Sequence, residues 1–189
     1  LVVAKNDRAH QKLAKQFADH GRTGPLQRAY LAIVWGAPRR AHGTITTQIE
    51  RSNKNREKMM VVGEDRGREA ITHYTVIERY PPLLKGGEET EALASLVECR
   101  LETGRTHQIR VHMSHLGHPL LGDALYGSGF ATKAVRLPEA ARDALTALGR
   151  QALHAAVLGF EHPASGEELL FESDPPAQFA HLQDTLAAL

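Results

Sequence analysis

Cysteine is almost absent from this sequence. Only Cys99 occurs among 189 residues, so no internal disulfide can hold the fold, and a reducing, cytoplasmic setting fits best. Long apolar runs are missing as well. No stretch approaches the roughly 20 residues a bilayer-spanning helix needs, so no membrane partner is expected. Aromatic residues make up only 5%. No phosphate loop of the form GxxxxGK(S/T) is present, nor a GxGxxG fingerprint. A GxSxG nucleophile elbow is absent too. The common nucleotide-handling and acyl-transfer chemistries therefore lose support. The chain also lacks an initiator Met and a signal peptide: Leu1-Val2-Val3-Ala4-Lys5 has no basic front and no h-region. It reads as a strand already under way, the inside of a longer protein.

What is present suits one soluble domain over residues 1–189, with 42% hydrophobic and 24% charged residues. The net charge of +1 hides an asymmetry. Residues 1–58 hold 12 Lys and Arg against 4 Asp and Glu, whereas residues 139–189 hold 2 against 8. A basic first third points to a polyanionic partner such as RNA.

Periodicity sets out the elements. Asn6 or Asp7 can cap a helix whose inner stripe is His10, Leu13, Ala14, Phe17 and Ala18, with Gly21 as its stop. Arg28–Gly36 alternates Tyr30, Ala32 and Val34 with Leu31, Ile33 and Trp35. Both faces are largely apolar, which marks a central strand. Further strands are expected at 44–50, 59–62, 70–80, 95–101, 152–160 and 168–171. Pro81-Pro82 and residues 85–89 form a loop, and His118–Gly127 a short extended stretch. A helix opens near Pro138 with the stripe Ala141, Leu145 and Leu148, and Gly149 ends it; a last helix carries Phe179, Leu182, Leu186 and Leu189. The pattern is α+β, with a mixed, mainly antiparallel sheet and flanking helices.

The run from Leu101 to His112 is the most informative. A strand leads through Gly104 to Arg105 and into a helix with Ile109, Met113 and Leu116 on one side and Gly117 at its end. Thr106 is a candidate N-cap. Arg105 then stands beside free N–H groups and a positive helix end, a place suited to an anion. His112 and His115, with His118 beyond, have a spacing that could hold a metal, but only Asp123 offers a nearby acidic ligand, and no metal site is assigned.

Residues 101–112, together with Gly117-His118-Pro119-Leu120-Leu121-Gly122-Asp123 and Tyr126-Gly127, resemble the RluA family of RNA pseudouridine synthases, most closely its ribosomal large-subunit type D members. Leu1–Lys5, Arg28–Gly36, Ala70–Tyr74 and Arg150–Ala155 match further family segments in the same order. The resemblance implies a pseudouridine synthase catalytic domain and a cofactor-free isomerisation of uridine in structured, ribosomal large-subunit RNA. It implies that Arg105 holds a catalytic aspartate by charge-assisted hydrogen bonds. Tyr30 stacks on a flipped uracil and serves proton transfer. Arg28 and the basic run with Arg51, Lys54, Arg56 and Lys58 grip phosphates without reading sequence.

In the family the aspartate lies a few residues before the segment matched by Leu1–Lys5, and Asp7 follows that segment instead. The expectation is a catalytic domain lacking its aspartate motif and any N-terminal RNA-binding domain, inactive by itself. The alternative from another class is a non-catalytic RNA-binding module.

Overall fold

The computed structural model describes residues 2–21, 23–80 and 92–188. Helix α1, Asp7–Asp19, starts where Asn6 turns extended and its side chain accepts the Ala9 N–H at 2.9 Å. It stops where His20 and Gly21 both adopt left-handed backbone. Seven strands follow in one sheet: β1 Gln27–Trp35, β2 His42–Arg51, β3 Met59–Val62, β4 Arg68–Tyr80, β5 Ala94–Leu101, β6 Leu153–Glu161 and β7 Glu168–Glu172. Helix α2 is Gln108–His115, α3 Glu139–Leu148 and α4 Ala177–Ala187, with a 3₁₀ stretch over Ser128–Arg136.

The strand order is β3-β2-β4-β5-β1-β6-β7, and every pairing is antiparallel. The sheet is thus antiparallel throughout, rather than mixed. β1 lies between β5 and β6 and is covered on both faces. Ile33 and Trp35 pack with Ala141, Leu148, Phe179 and Leu182 from α3 and α4. Ala32 and Val34 pack with Ile109 and Met113 from α2, and Tyr30 borders that cluster. Two-sided burial is why this strand reads as nearly continuous apolar sequence. Cys99 is buried on β5 opposite Tyr30, and burial pushes its thiol up to about 12.

Several expectations change. Residues 2–4 form no strand; Val2 and Ala4 instead pack against Leu13, Leu26 and Phe160. In α1 Leu13 is buried and Phe17 half-buried, whereas His10, Ala14 and Ala18 are exposed. Two bonds of 2.8 Å between the Gln16 amide and the Glu161 backbone clamp α1 to the end of β6. Residues 118–127 make turns, with only a single bridge, Leu120 to Val34. Leu116 is exposed, and Gly117 ends α2 as expected. The loop around Pro81-Pro82 and residue Leu189 lie outside the described residues.

Phe179 is 1% exposed, and Phe171 on the edge strand β7 is 53% exposed. Phe179→Ala should cost about 3–5 kcal/mol, and Phe171→Ala no more than about 1 kcal/mol. Urea unfolding of the two variants measures this difference; equal losses would contradict the described core.

Candidate active site

Gln108 organises the corner between β5 and α2. Its side-chain oxygen accepts the Thr103 hydroxyl at 2.7 Å and the Arg105 N–H at 2.9 Å. Its amide nitrogen donates to the Ile71 carbonyl at 2.9 Å and to Thr72 Oγ1 at 3.0 Å. Thr72 Oγ1 also lies 2.9 Å from His112 Nδ1, within hydrogen-bond distance. His112 Nε2 lies 2.9 Å from Thr47 Oγ1, the second hydrogen bond of the ring. Both His112 ring nitrogens are committed, which answers the metal-like spacing with His115. Burial, with a smaller push from His115, lowers the His112 pKa to about 4.

The expected Thr106 cap does not form. Thr106 is exposed and makes no capping bond; the residue before the helix is His107, in left-handed backbone at φ 57. The Arg105 N–H is therefore not free, because the buried amide of Gln108 takes it. Arg105 Nε donates to the Glu69 carbonyl at 2.9 Å. His107 is held from outside: its Nδ1 lies 3.0 Å from the Tyr126 hydroxyl, which accepts the Met59 N–H at 2.8 Å. The Tyr126 hydroxyl thus ties the start of β3 to the corner. Arg110 lies 4.9 Å from the Tyr126 ring centre and pairs with Asp123 by two bonds of 2.7 and 2.8 Å. Burial pushes the Asp123 carboxyl up. The Arg110 hydrogen bonds and the N–H groups of Tyr126 and Leu125 outweigh it and hold the group below the usual carboxylate range. Asp123 is a committed ion-pair partner.

The two sequence-predicted catalytic residues line different cavities. Arg105 lines a cleft of about 550 Å³ together with Arg51, Arg68, Met59 and Thr106. Tyr30 lines a cavity of about 430 Å³ with Arg28, Val2, Ala4, Phe17 and Leu158. At Tyr30 the pairing of β1 with β6 slips, leaving Ala156 as the extra residue. Such a bulge re-aims neighbouring side chains. Gly104 joins the two sites: it lines the Arg105 cleft, and a Cβ there would stand 2.4 Å from Arg28 Nη1.

The basic run is an ordered turn. Ser52 Oγ accepts the N–H groups of Lys54 and Asn55, and Arg51 Nη1 donates to the Arg56 carbonyl at 2.5 Å. Lys54 and Arg56 are exposed, and Lys58 Nζ lies 5.7 Å from the Tyr126 ring centre. The turn therefore borders the Arg105 cleft. Sequence reasoning missed Arg68 and Gln108. A buried polar residue among Ile109, Val111 and Met113 was the available sign for Gln108; Arg68 has none, since it reaches the cleft only through the pairing of β2 with β4.

The family described as RNA pseudouridylate synthase matches residues 1–115. The chain belongs to this RNA pseudouridylate synthase family. It is 48% identical over 176 residues to a ribosomal large subunit pseudouridine synthase D of Zymomonas mobilis, covering 93% of this chain and 49% of that one. It is 41% identical over 190 residues to a protein of the same name from Pseudomonas aeruginosa, covering 98% of this chain and 52% of the other. The chain spans about half the length of the curated relatives it matches. Human RNA pseudouridylate synthase domain containing 1 superposes with a TM-score of 0.66 at 27% identity, over 92% of this chain and 63% of that one. The antiparallel sheet with helices is thus the pseudouridine synthase fold.

The depressed His112 pKa carries a pH signature. The unfolded chain binds a proton near pH 6.5 and the folded chain only near 4, so stability is complete above about 6.5 and falls as pH drops toward 4. The full loss is about 3 kcal/mol. Urea unfolding between pH 7 and 4 should show this slope, and His112→Asn should reduce it; an unchanged slope in that variant would contradict the buried neutral ring.

Proposed function

We propose that this chain is the larger part of the catalytic domain of an enzyme that isomerises uridine to pseudouridine in structured RNA, and that its substrate is large-subunit ribosomal RNA. The single observation that carries the reading is the family match through residue 115, which ends with the last residue of α2 and so includes the whole Arg105 corner. The arginine-lined cleft beside an exposed basic turn supports a polyanionic substrate.

In this reading the C1′–N1 bond of uridine breaks, the uracil turns, and a C1′–C5 bond forms while the C5 proton is lost and N1 gains one. The reaction needs no cofactor. An aspartate acts at the sugar or base, supplied by the segment of the parent protein that precedes Leu1. Arg105 keeps that carboxylate ionised and aimed through charge-assisted hydrogen bonds. This requires its guanidinium to turn from the Arg68 cleft toward the Tyr30 cavity, past Gly104, and to give up the Glu69 carbonyl. Tyr30 stacks on the uracil after it leaves the RNA stack and serves proton transfer at the ring. Arg51, Lys54, Arg56 and Lys58 hold phosphates, and Arg68 joins them on the cleft wall. The work takes place in the cytoplasm, where Cys99 stays a thiol.

The test uses unmodified ribosomal RNA. The 189-residue chain should bind it and form no pseudouridine, while the chain extended through the parent's upstream segment should turn over. Robust product from the unextended chain would place the nucleophile within these residues. In the extended protein, Arg105→Ala should lower turnover by about 10³-fold and change RNA affinity less than about threefold; equal losses would reject its role. The double variant Lys54→Gln, Arg56→Gln should instead weaken binding and flatten the slope of log affinity against log salt by about 2. An unchanged slope would remove the turn from the RNA interface.

A further inference from the structure

Arg28 is a cation held partly inside the protein with one of its donors unanswered. Its Nε is buried and has no acceptor among the described residues. Its Nη2 makes a single long contact, 3.5 Å to His20 Nδ1. Burial lowers its pKa against a small upward push from Tyr30. Buried N–H groups without acceptors are rare, and rarer still on a charged group. The exposed Lys54 and Arg56 keep their charges in water, so Arg28 does a different job from the basic turn.

Gly104 makes room for it. A Cβ there would stand 2.4 Å from Arg28 Nη1, and the Gly104 backbone does not lie in the left-handed region. Glycine leaves the guanidinium end where it stands, and a side chain at 104 would push that flexible end aside. Two elements thus cooperate to seat Arg28: β1 supplies the side chain, and the corner after β5 supplies the gap.

Arg28 and Tyr30 line one cavity, two residues apart on one face of β1. That separation is about 7 Å along a strand, on the scale of the reach from a nucleotide's base to its own phosphate. The rest of the wall is largely apolar, with Val2, Ala4, Leu13 and Phe17, and suits a base rather than a second charge. We infer that Arg28, seated against Gly104, holds the phosphate of the same nucleotide whose base stacks on Tyr30. With a shift of the guanidinium that uncovers the buried Nε, the phosphate supplies the acceptor this nitrogen lacks, in the two-pronged geometry a guanidinium favours. The inference rests on the functional reading above and adds to it a subsite for the target nucleotide alone.

Titration of the 189-residue chain with uridine 5′-monophosphate, uridine and inorganic phosphate, followed by NMR shifts of the cavity residues, tests this. The monophosphate should bind about tenfold more tightly than uridine and more tightly than phosphate alone. Arg28→Gln should remove the preference over uridine while uridine still binds, and Arg28→Lys should keep part of it. Gly104→Ala keeps the charge but fills its seat, so it should reduce the preference even where Arg28→Gln fails to fold. Equal binding of monophosphate and uridine, or a preference that survives Arg28→Gln in a folded protein, overturns the subsite. Ribosomal RNA binding separates the two failures. A chain that binds RNA with a steep salt dependence but shows no monophosphate preference rejects the Arg28 subsite alone, whereas a chain that binds no RNA rejects the functional reading itself.

Discussion

Four hydrogen bonds to one side-chain amide, that of Gln108, hold the corner between β5 and α2 that presents Arg105. The amide offers acceptor and donor ends together, and the corner uses both. The oxygen gathers Thr103 and the Arg105 main chain; the nitrogen reaches Ile71 and Thr72 on β4. A glutamate would bury a charge and lose the donors, and a hydrophobe would leave the Arg105 N–H without its acceptor, at a cost of about 1–3 kcal/mol. The chain of neutral groups continues through Thr72 and His112 to Thr47 on β2. Two strands, one helix and the segment after β5 are thereby fixed to each other around Arg105.

Two sites of different character meet at this corner. One is an arginine-lined cleft open to the basic turn; the other is a largely apolar cavity holding Tyr30. Under the proposed function that division suits a base and its phosphodiester chain, since a ring seeks an aromatic face and a nucleic-acid backbone seeks cations. Gly104 stands between them, and the absence of its side chain lets Arg28 reach from the cavity to the corner. The charge asymmetry of the sequence follows the same plan. The basic first third supplies Arg28 and the turn from Arg51 to Lys58. The acidic last third builds α3 and α4, whose apolar residues cover the opposite face of the sheet.

Much of the fold is legible from local pattern. The alternation in 28–36 assigns residues 30–35 to their observed faces, and residues 59–62 form a strand with the bounds expected of it. The Asn6 cap is likewise a local signal, a short polar side chain before an amphipathic run. What escapes sequence reading is set by distant partners. Thr106 has the right chemistry for a cap, but the helix starts at Gln108 with His107 in the cap position, so Thr106 falls one residue too early. Residues 2–4 read as a strand, yet Val2 and Ala4 pack on Leu13 and Phe160 without pairing and Val3 is exposed. The 3₁₀ stretch 128–136 leaves no clear period because its turns are short. Tyr30 and Arg105 are both prominent in the sequence; that they line separate cavities joined at Gly104 follows only from the register of β1 with β5 and β6.

The central claim is that the Arg105 corner serves uridine isomerisation in ribosomal RNA. Pseudouridine mapping of large-subunit ribosomal RNA tests it most directly, in cells that carry the intact gene, lack it, or carry it with Arg105→Ala. The account predicts that one or more pseudouridines vanish on deletion, return with the intact gene and stay absent with the variant. Identical maps in all three strains, or full restoration by the variant, would contradict it.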